Sequence, residues 1–274
     1  MRRRSPRLVE EFDWCVVRLG APGRIRGVTV DTSFFRGNFP SHCSIDACSA
    51  VANSNIAELV GDKTQWTELL SKSVLSGDTQ NHFTIDCEER LSYLRLKIYP
   101  DGGVARLRAY GDVMPDWNSL RERNSEIDLA AVENGGTVPQ ASDMFFGHRL
   151  NLIMPGFARD MSDGWESQRR RGPGHDWCII KLGALGRITR VELDTSHFKG
   201  NYPESCSIEV ARADNGSIDS VAWQELLPNT KLEPHTRHSF IGELADLGDV
   251  THARLNIFPD GGVSRLRLYG RIAE

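Results

Sequence analysis

Between residues 169 and 201 the chain concentrates Arg169, Arg170, Arg171, His175, Asp176, Asp194, His197, Lys199 and Asn201, and Asp260 follows in a Pro-Asp-Gly-Gly run. These side-chain types suit acid–base work and the binding of a polar ligand. A guanidinium grips a carboxylate through two parallel hydrogen bonds. His and Asp pass protons near neutral pH, and Asn or Asp accepts the N–H donors of a ligand. The expected division places His175, His197, Asp176 and Asp194 on proton transfer. Arg170, Arg171, Lys199, Asn201 and Asp260 are then expected to touch the substrate.

Each residue also has a plain structural reading. The arginines suit a solvated edge strand that deters aggregation. Asp176 and Asp194 recur earlier as Asp13 and Asp31, and Asp260 recurs as Asp101 before Gly-Gly, so all three fit turns capped by a carboxylate. Lys199 has a cationic counterpart in Arg36, which serves an ion pair equally well. His175 and His197 are more informative, because Phe12 and Phe34 stand at the matching positions. A role shared by both copies would not need His at one and Phe at the other. For a metal, His175, Asp176, His197 and Asp143 offer donors that manganese accepts. No H-x-H or H-x-x-x-H spacing supports them, so the ligands stay unassigned. Neither a Gly-rich phosphate loop nor a G-x-S-x-G elbow is present.

The elements that position these residues come in two copies. DWCVVRLG from Asp13 returns as DWCIIKLG from Asp176, and DTSFFRGNFP from Asp31 as DTSHFKGNYP from Asp194, both 163 residues on. RLKIYPDGGVARLRAYG from Arg95 returns as RLNIFPDGGVSRLRLYG from Arg254, 159 residues on, so four residues are lost in loops. A repeat this long marks two copies of a domain, not a short-period solenoid. The expected boundaries are a first repeat over 1–116, a connection over 117–137 with a short helix, and a second repeat over 138–274.

Each copy reads as β structure. Cys206, Ile208 and Val210 alternate with Ser207, Glu209 and Ala211, as Leu94, Leu96 and Ile98 do with Arg95, Lys97 and Tyr99. Period-two alternation sends one set to a core and the other to solvent or a partner. Turn signals punctuate the runs at Gly37-Asn38, Asp101-Gly102-Gly103, Gly200-Asn201 and Asp260-Gly261-Gly262. The fold class is therefore all-β, a tandem pair of antiparallel jelly-roll sandwiches.

Composition bounds the function. The 274 residues are enough for two cores, and 39% hydrophobic with 26% charged residues is ordinary for a globular protein. A net charge of −4 without a long basic run points away from nucleic acid. No apolar stretch reaches the length of a membrane span, and MRRRSPRLVEEF lacks the core of a secretory signal. The six cysteines show no C-x-x-C spacing. Cys15, Cys43, Cys178 and Cys206 are expected as small buried thiols, and the location as cytoplasmic.

Taken together, D-T-S-x-F-K/R-G-N-F/Y-P, the closing P-D-G-G-V-x-R-L-R-x-Y-G, Asn134-Gly135-Gly136, the run ASDMFFG from Ala141, and DGWES from Asp163 leading through Arg169-Arg170-Arg171 to Asp176-Trp177 resemble the allantoicase family over nearly the whole chain. The resemblance implies paired galactose-binding-like jelly rolls, a homo-oligomer, and hydrolysis of allantoate to ureidoglycolate and urea. Allantoate carries a carboxylate and two ureido groups on one carbon. Cleaving a C–N bond there calls for a cation on the carboxylate, an acid for the leaving nitrogen, and a base or metal for water.

The first copy departs from the family pattern. It opens at MRRRSP, inside the Arg-rich segment, without a counterpart of residues 141–165. A strand edge is therefore expected to lie open near residues 14–19, and activity is expected to rest on the second copy. Two other readings stay open: a non-catalytic tandem ligand-binding module, and a shortened, silent relative of the enzyme.

Overall fold

The computed structural model describes residues 12–50, 56–59, 61, 64–122, 125–213, 218 and 221–273. The chain divides into two compact units, Met1–Met114 and Pro115–Glu274. Strands in each unit pair antiparallel, as the alternation requires.

In the first unit β1 spans Asp13–Asp31, β2 His42–Cys48, β3 Thr67–Val74, β4 Gln80–Thr84, β5 Leu91–Tyr99 and β6 Arg106–Val113. β1 belongs to both faces of a sandwich. Its first half pairs with β5 and so continues the order β3-β2-β5-β1, whereas its second half lies between β4 and β6. The register breaks between Arg18 and Gly23, in the stretch Leu19-Gly20-Ala21-Pro22 that carries the strand from one layer to the other. A β-bulge turns a strand in this way. Val28 and Val30 of β1, Ile45 of β2 and Leu94 of β5 fill the core. Burying each such side chain stabilises the unit by roughly 1.5–3 kcal/mol.

The second unit repeats this plan with β10 (Asp176–Asp194) as its bent strand, together with β11 (Ser205–Ala211), β12 (Gln224–Lys231), β13 (Arg237–Phe240), β14 (Val250–Phe258) and β16 (Arg265–Ile272). The first half of β10 pairs with β14 and the second half with β13 and β16. Both ends of β10 therefore flank the Pro259–Ser264 turn: Asp176 stands opposite Ile257 and Asp194 opposite Arg265. Gly262, in the short strand β15 (Gly262–Val263), must be glycine, because a Cβ there would lie 1.9 Å from the ring of the fully buried Phe198.

The second unit also carries elements with no described counterpart in the first. β7 (Ile127–Asp128) pairs with the outer edge of β16, β8 (Thr137–Ala141) with the first half of β10, and β9 (Trp165–Glu166) with β15. The stretch 117–137, expected as a connection with a short helix, divides in two. It opens with a six-residue helix, Trp117–Glu122, but from residue 127 it belongs to the second sandwich, with Leu129 and Ala130 fully buried.

β8 also decides the fate of the cysteines. Cys178 pairs with Ala141 of β8 and is wholly buried, while Cys15, its counterpart on β1, is exposed. The expectation that all four thiols are buried holds for Cys43, Cys178 and Cys206 and fails for Cys15. Among the described residues no strand pairs on that side of β1 near Trp14, and Trp14 and Val17 are exposed there. Also among the described residues, no helix is long and apolar enough to cross a membrane.

Candidate functional site

The residues singled out by type separate into three neighbourhoods around one end of the second sandwich. In the first, Asp176 is buried at the start of β10, where Oδ1 accepts hydrogen bonds from Arg170 Nη2 at 2.6 Å and Ser142 Oγ at 2.9 Å. Asp260 Oδ2 accepts the backbone N–H of Arg170 at 2.7 Å. Asn201 donates its amide to Glu166. These contacts lock the Arg-rich segment onto the Pro259–Ser264 turn. Arg171 is exposed beside them. His175 packs tilted against Phe258 with ring centroids 4.7 Å apart, and Phe12 lies 5.5 Å from Tyr99 at the matching place in the first unit. The imidazole thus occupies a place that a phenyl ring fills in the other copy.

The second neighbourhood is the turn after β10. His197 adopts a left-handed backbone, φ 72°, as does Phe34 with φ 71°. In both units a side chain accepts the strained N–H: His235 Nδ1 at 2.8 Å from His197 N, Asp78 Oδ1 at 2.8 Å from Phe34 N. The His197 ring adds a contact that Phe34 cannot make, with Nε2 at 3.0 Å from the carbonyl oxygen of Ala158. Lys199 is exposed near this pair in an open depression with Asp160 and Ser162.

The proposed metal donors do not converge. Asp143 Oδ2 accepts the N–H groups of Phe145 and Gln168, Asp176 is engaged by Arg170 and Ser142, and His197 reaches Ala158. Among the described residues no three His, Cys, Asp or Glu side chains come together in a way that would hold a metal.

Only Asp194 of the expected set borders the third neighbourhood, a cavity of about 470 Å³ on the outer face of the β13–β10–β16 layer. Strand register builds it. Leu266 and Leu268 of β16 point into the core, so Arg265, Arg267 and Tyr269 point outward. Across the ladder Asp194 faces Arg265 and Glu192 faces Arg267, while Arg237 of β13 stands beside Asp194. Asp128 and Glu133, then Gly156 and Phe157, close over the face from the segment before β10. A half-enclosed cavity with converging charges is the ordinary form of a small-ligand site.

The electrostatics are unusual for a sheet surface. Arg265 is only 5% exposed, and its N–H groups donate to the carbonyl oxygens of Asn151 at 3.1 Å, Asp163 at 2.6 Å and Gly156 at 3.3 Å. Arg267 donates to Met154 and Gly156 oxygens at 2.6 and 2.8 Å and lies 3.6 Å from Asp128. Burial, helped by the charge of Arg267, lowers the pKa of Arg265. A buried and a half-buried guanidinium satisfied mainly by neutral carbonyls leave positive potential for an anion. Burial pushes the Asp128 carboxyl above its ordinary value, with the Glu133 charge adding to it against the N–H groups of Leu268 and Ala130 and the charge of Arg267. Tyr269 is also raised, first by burial and then by Glu192 and Asp128, so its hydroxyl stays a donor.

The first unit presents the same Arg-x-Arg-x-Tyr side, but Arg106 and Tyr110 are exposed and Arg108 reaches Asp31 at 3.3 Å. Register puts Thr29 and Gln80 where the second unit has Glu192 and Arg237. The charged cavity is thus a feature of the second unit. Sequence reasoning passed over its arginines, although the outward set of R-L-R-L-Y was readable from the alternation. Glu133 and Arg237 carried no such signal, because they meet the site only through loop and strand packing.

A family model described as allantoicase repeat matches residues 1–114 and 127–273. A probable allantoicase of Photobacterium profundum is 48% identical over 278 aligned residues, covering 100% of this chain and 81% of the relative. One from Stutzerimonas stutzeri is 49% identical, covering 97% and 80%. The crystal structure of allantoicase from Saccharomyces cerevisiae superposes with a TM-score of 0.79 at 35% identity, over 95% of this chain and 78% of that one.

Proposed function

The chain belongs to the allantoicase family, and we infer that it hydrolyses allantoate to ureidoglycolate and urea, with the Arg265–Arg267 cavity of the second unit as its substrate site. The observation that carries the site is the buried Arg265, clamped by backbone carbonyls and facing a cavity large enough for a small ureido acid.

In this reading the substrate carboxylate sits against Arg265 and Arg267, whose guanidiniums are held in place by the Asn151, Met154, Gly156 and Asp163 carbonyls. Prepositioned donors of this kind orient a substrate without reorganising when it binds. The ureido N–H groups are then left to the carboxylates of the rim, and the Tyr269 hydroxyl can donate to a ureido carbonyl. Phe157, stacked under Arg237 at 3.7 Å, shields one side from water.

The test is direct. The purified chain, given allantoate, should release urea and ureidoglycolate in equal amounts. A rate no higher than that of allantoate in buffer alone overturns the reading and favours a silent relative.

A further inference from the structure

Resting on that reading, we propose that Glu133 is the catalytic proton-transfer group of the cavity. Four carboxylates border it, and three are engaged. Asp128 Oδ1 accepts the N–H groups of Ala130 and Leu268 at 3.1 and 3.0 Å, with Oδ2 3.6 Å from Arg267. Asp194 Oδ1 accepts Ser196 N–H at 2.7 Å, and Oδ2 lies 3.4 Å from Arg237. Glu192 pairs with Arg190. Glu133 differs: it lines the cavity, and its Oε2 is buried without a hydrogen-bond partner. Each of those three carboxylates already holds a guanidinium or backbone N–H groups, a contact that handling a substrate proton would disturb. A carboxylate with a free, desolvated oxygen can both take and return a proton.

The backbone around Glu133 is fixed with care. Its short 3-10 turn, Val132–Asn134, ends at Gly135 with φ 86°, whose N–H donates to Val132. Asn134 Nδ2 donates to the Asp128 carbonyl at 2.9 Å, and Gly136 N–H to Ala131 at 3.0 Å. The turn packs so closely on β10 that a Cβ at Gly183 would lie 1.8 Å from the Asn134 oxygen. A mobile surface glutamate needs none of this.

The proton balance closes with one residue. The oxygen of water bonds to the central carbon of allantoate as the C–N bond to one ureido group breaks, its electron pair staying on nitrogen. Glu133 takes a proton from the attacking water and delivers it to that nitrogen, so urea leaves neutral and the carboxylate is regenerated. Arg265 and Arg267 hold the substrate throughout.

Glu133→Gln in the full chain tests this, with urea release from allantoate as the readout and thermal unfolding as the check on folding. The expected result is a fall in kcat of about 10²–10⁴-fold with KM nearly unchanged. In Glu133→Ala, which vacates the side chain's space, added formate should recover part of the lost rate, because a small carboxylate can enter there and move the proton. Near-normal kcat in Glu133→Gln overturns the assignment while leaving the function standing. A loss that falls on KM, or that formate does not relieve, assigns Glu133 a structural role and also overturns it. Absence of urea release by the unaltered chain fails the functional reading itself, which is a separate outcome.

Discussion

Arg265 and Asp194 stand directly opposite each other across the β10–β16 ladder, yet Arg265 donates its hydrogen bonds to the backbone oxygens of Asn151, Asp163 and Gly156. Asp194 instead lies 3.4 Å from Arg237 on the neighbouring strand. Among the described residues the more deeply buried cation thus gives its hydrogen bonds to neutral oxygens and not to a carboxylate, which is what a receptor for a substrate carboxylate requires.

Arg265→Lys should therefore raise KM for allantoate by about tenfold or more, since a charge-assisted hydrogen bond contributes ~1.5–3 kcal/mol and an ammonium cannot reproduce the planar fork. Arg108→Lys, on the matching strand of the first unit, should leave KM where it was. Steady-state kinetics on the two variants decides the matter. Equal effects, or a larger one at Arg108, would remove the cavity from consideration.

The two histidines should behave differently from each other. His175→Phe restores the ring type that Phe12 supplies in the first unit, and packing on Phe258 can continue. It should keep kcat/KM close to normal. His197→Phe loses the bond to Ala158, next to the Gly156–Phe157 wall of the cavity, and should lower stability by ~0.5–1.5 kcal/mol and raise KM more than it lowers kcat. If His175→Phe instead cuts kcat by ~10²–10⁴-fold, proton transfer passes through His175 as its residue type alone suggested.

Thiol labelling reports on the side of β1 that carries Cys15. Cys15 is exposed, whereas burial pushes the Cys43 thiol up to about 11 and Cys206 up to about 12 and encloses Cys178 entirely. A thiolate-selective reagent at mildly alkaline pH should therefore modify Cys15 well before those three, as read by peptide mass spectrometry. Protection of Cys15 equal to that of Cys178 would mean that something covers this strand in solution.

Asp163 links the cavity wall to acid stability. The Arg159 side chain and backbone N–H hold its carboxyl down at about 2 from an ordinary 3.8, and its carbonyl oxygen receives Arg265. A depressed acid contributes stability above its unfolded value and loses it as pH falls through the folded one. The Tm gap between the native chain and Asp163→Asn should thus be full above about pH 4 and close toward pH 2. A gap that stays constant through that range would show that the ion pair with Arg159 does not stabilise the fold.

The duplication, the all-β class and the core residues were legible in the sequence because each depends on local periodicity. Ile208, with Cys206 and Val210 two residues to either side, can only face one way on a strand, and the Pro-Asp-Gly-Gly turns recur with their flanking strands. Family membership was legible for the same reason, through runs of adjacent residues. The cavity was not, because its walls come from distant stretches brought together by the bend of β10: Glu133 on a turn, Gly156 in a loop, Arg237 and Arg265 on different strands. The outward face of Arg265, Arg267 and Tyr269 reads as solvent-facing until the segment before β10 folds over it. In the first unit the corresponding Arg106 and Tyr110 do face solvent. Residue type pointed to histidines and turn aspartates, whose partners in the fold turned out to be Phe258 and Ala158 for the histidines and Arg170, Ser142, Arg237 and backbone amides for the aspartates. Alternation along a strand says which side chains share a face. What lies across from that face is set by tertiary packing, and that decides whether an arginine meets water or a ligand.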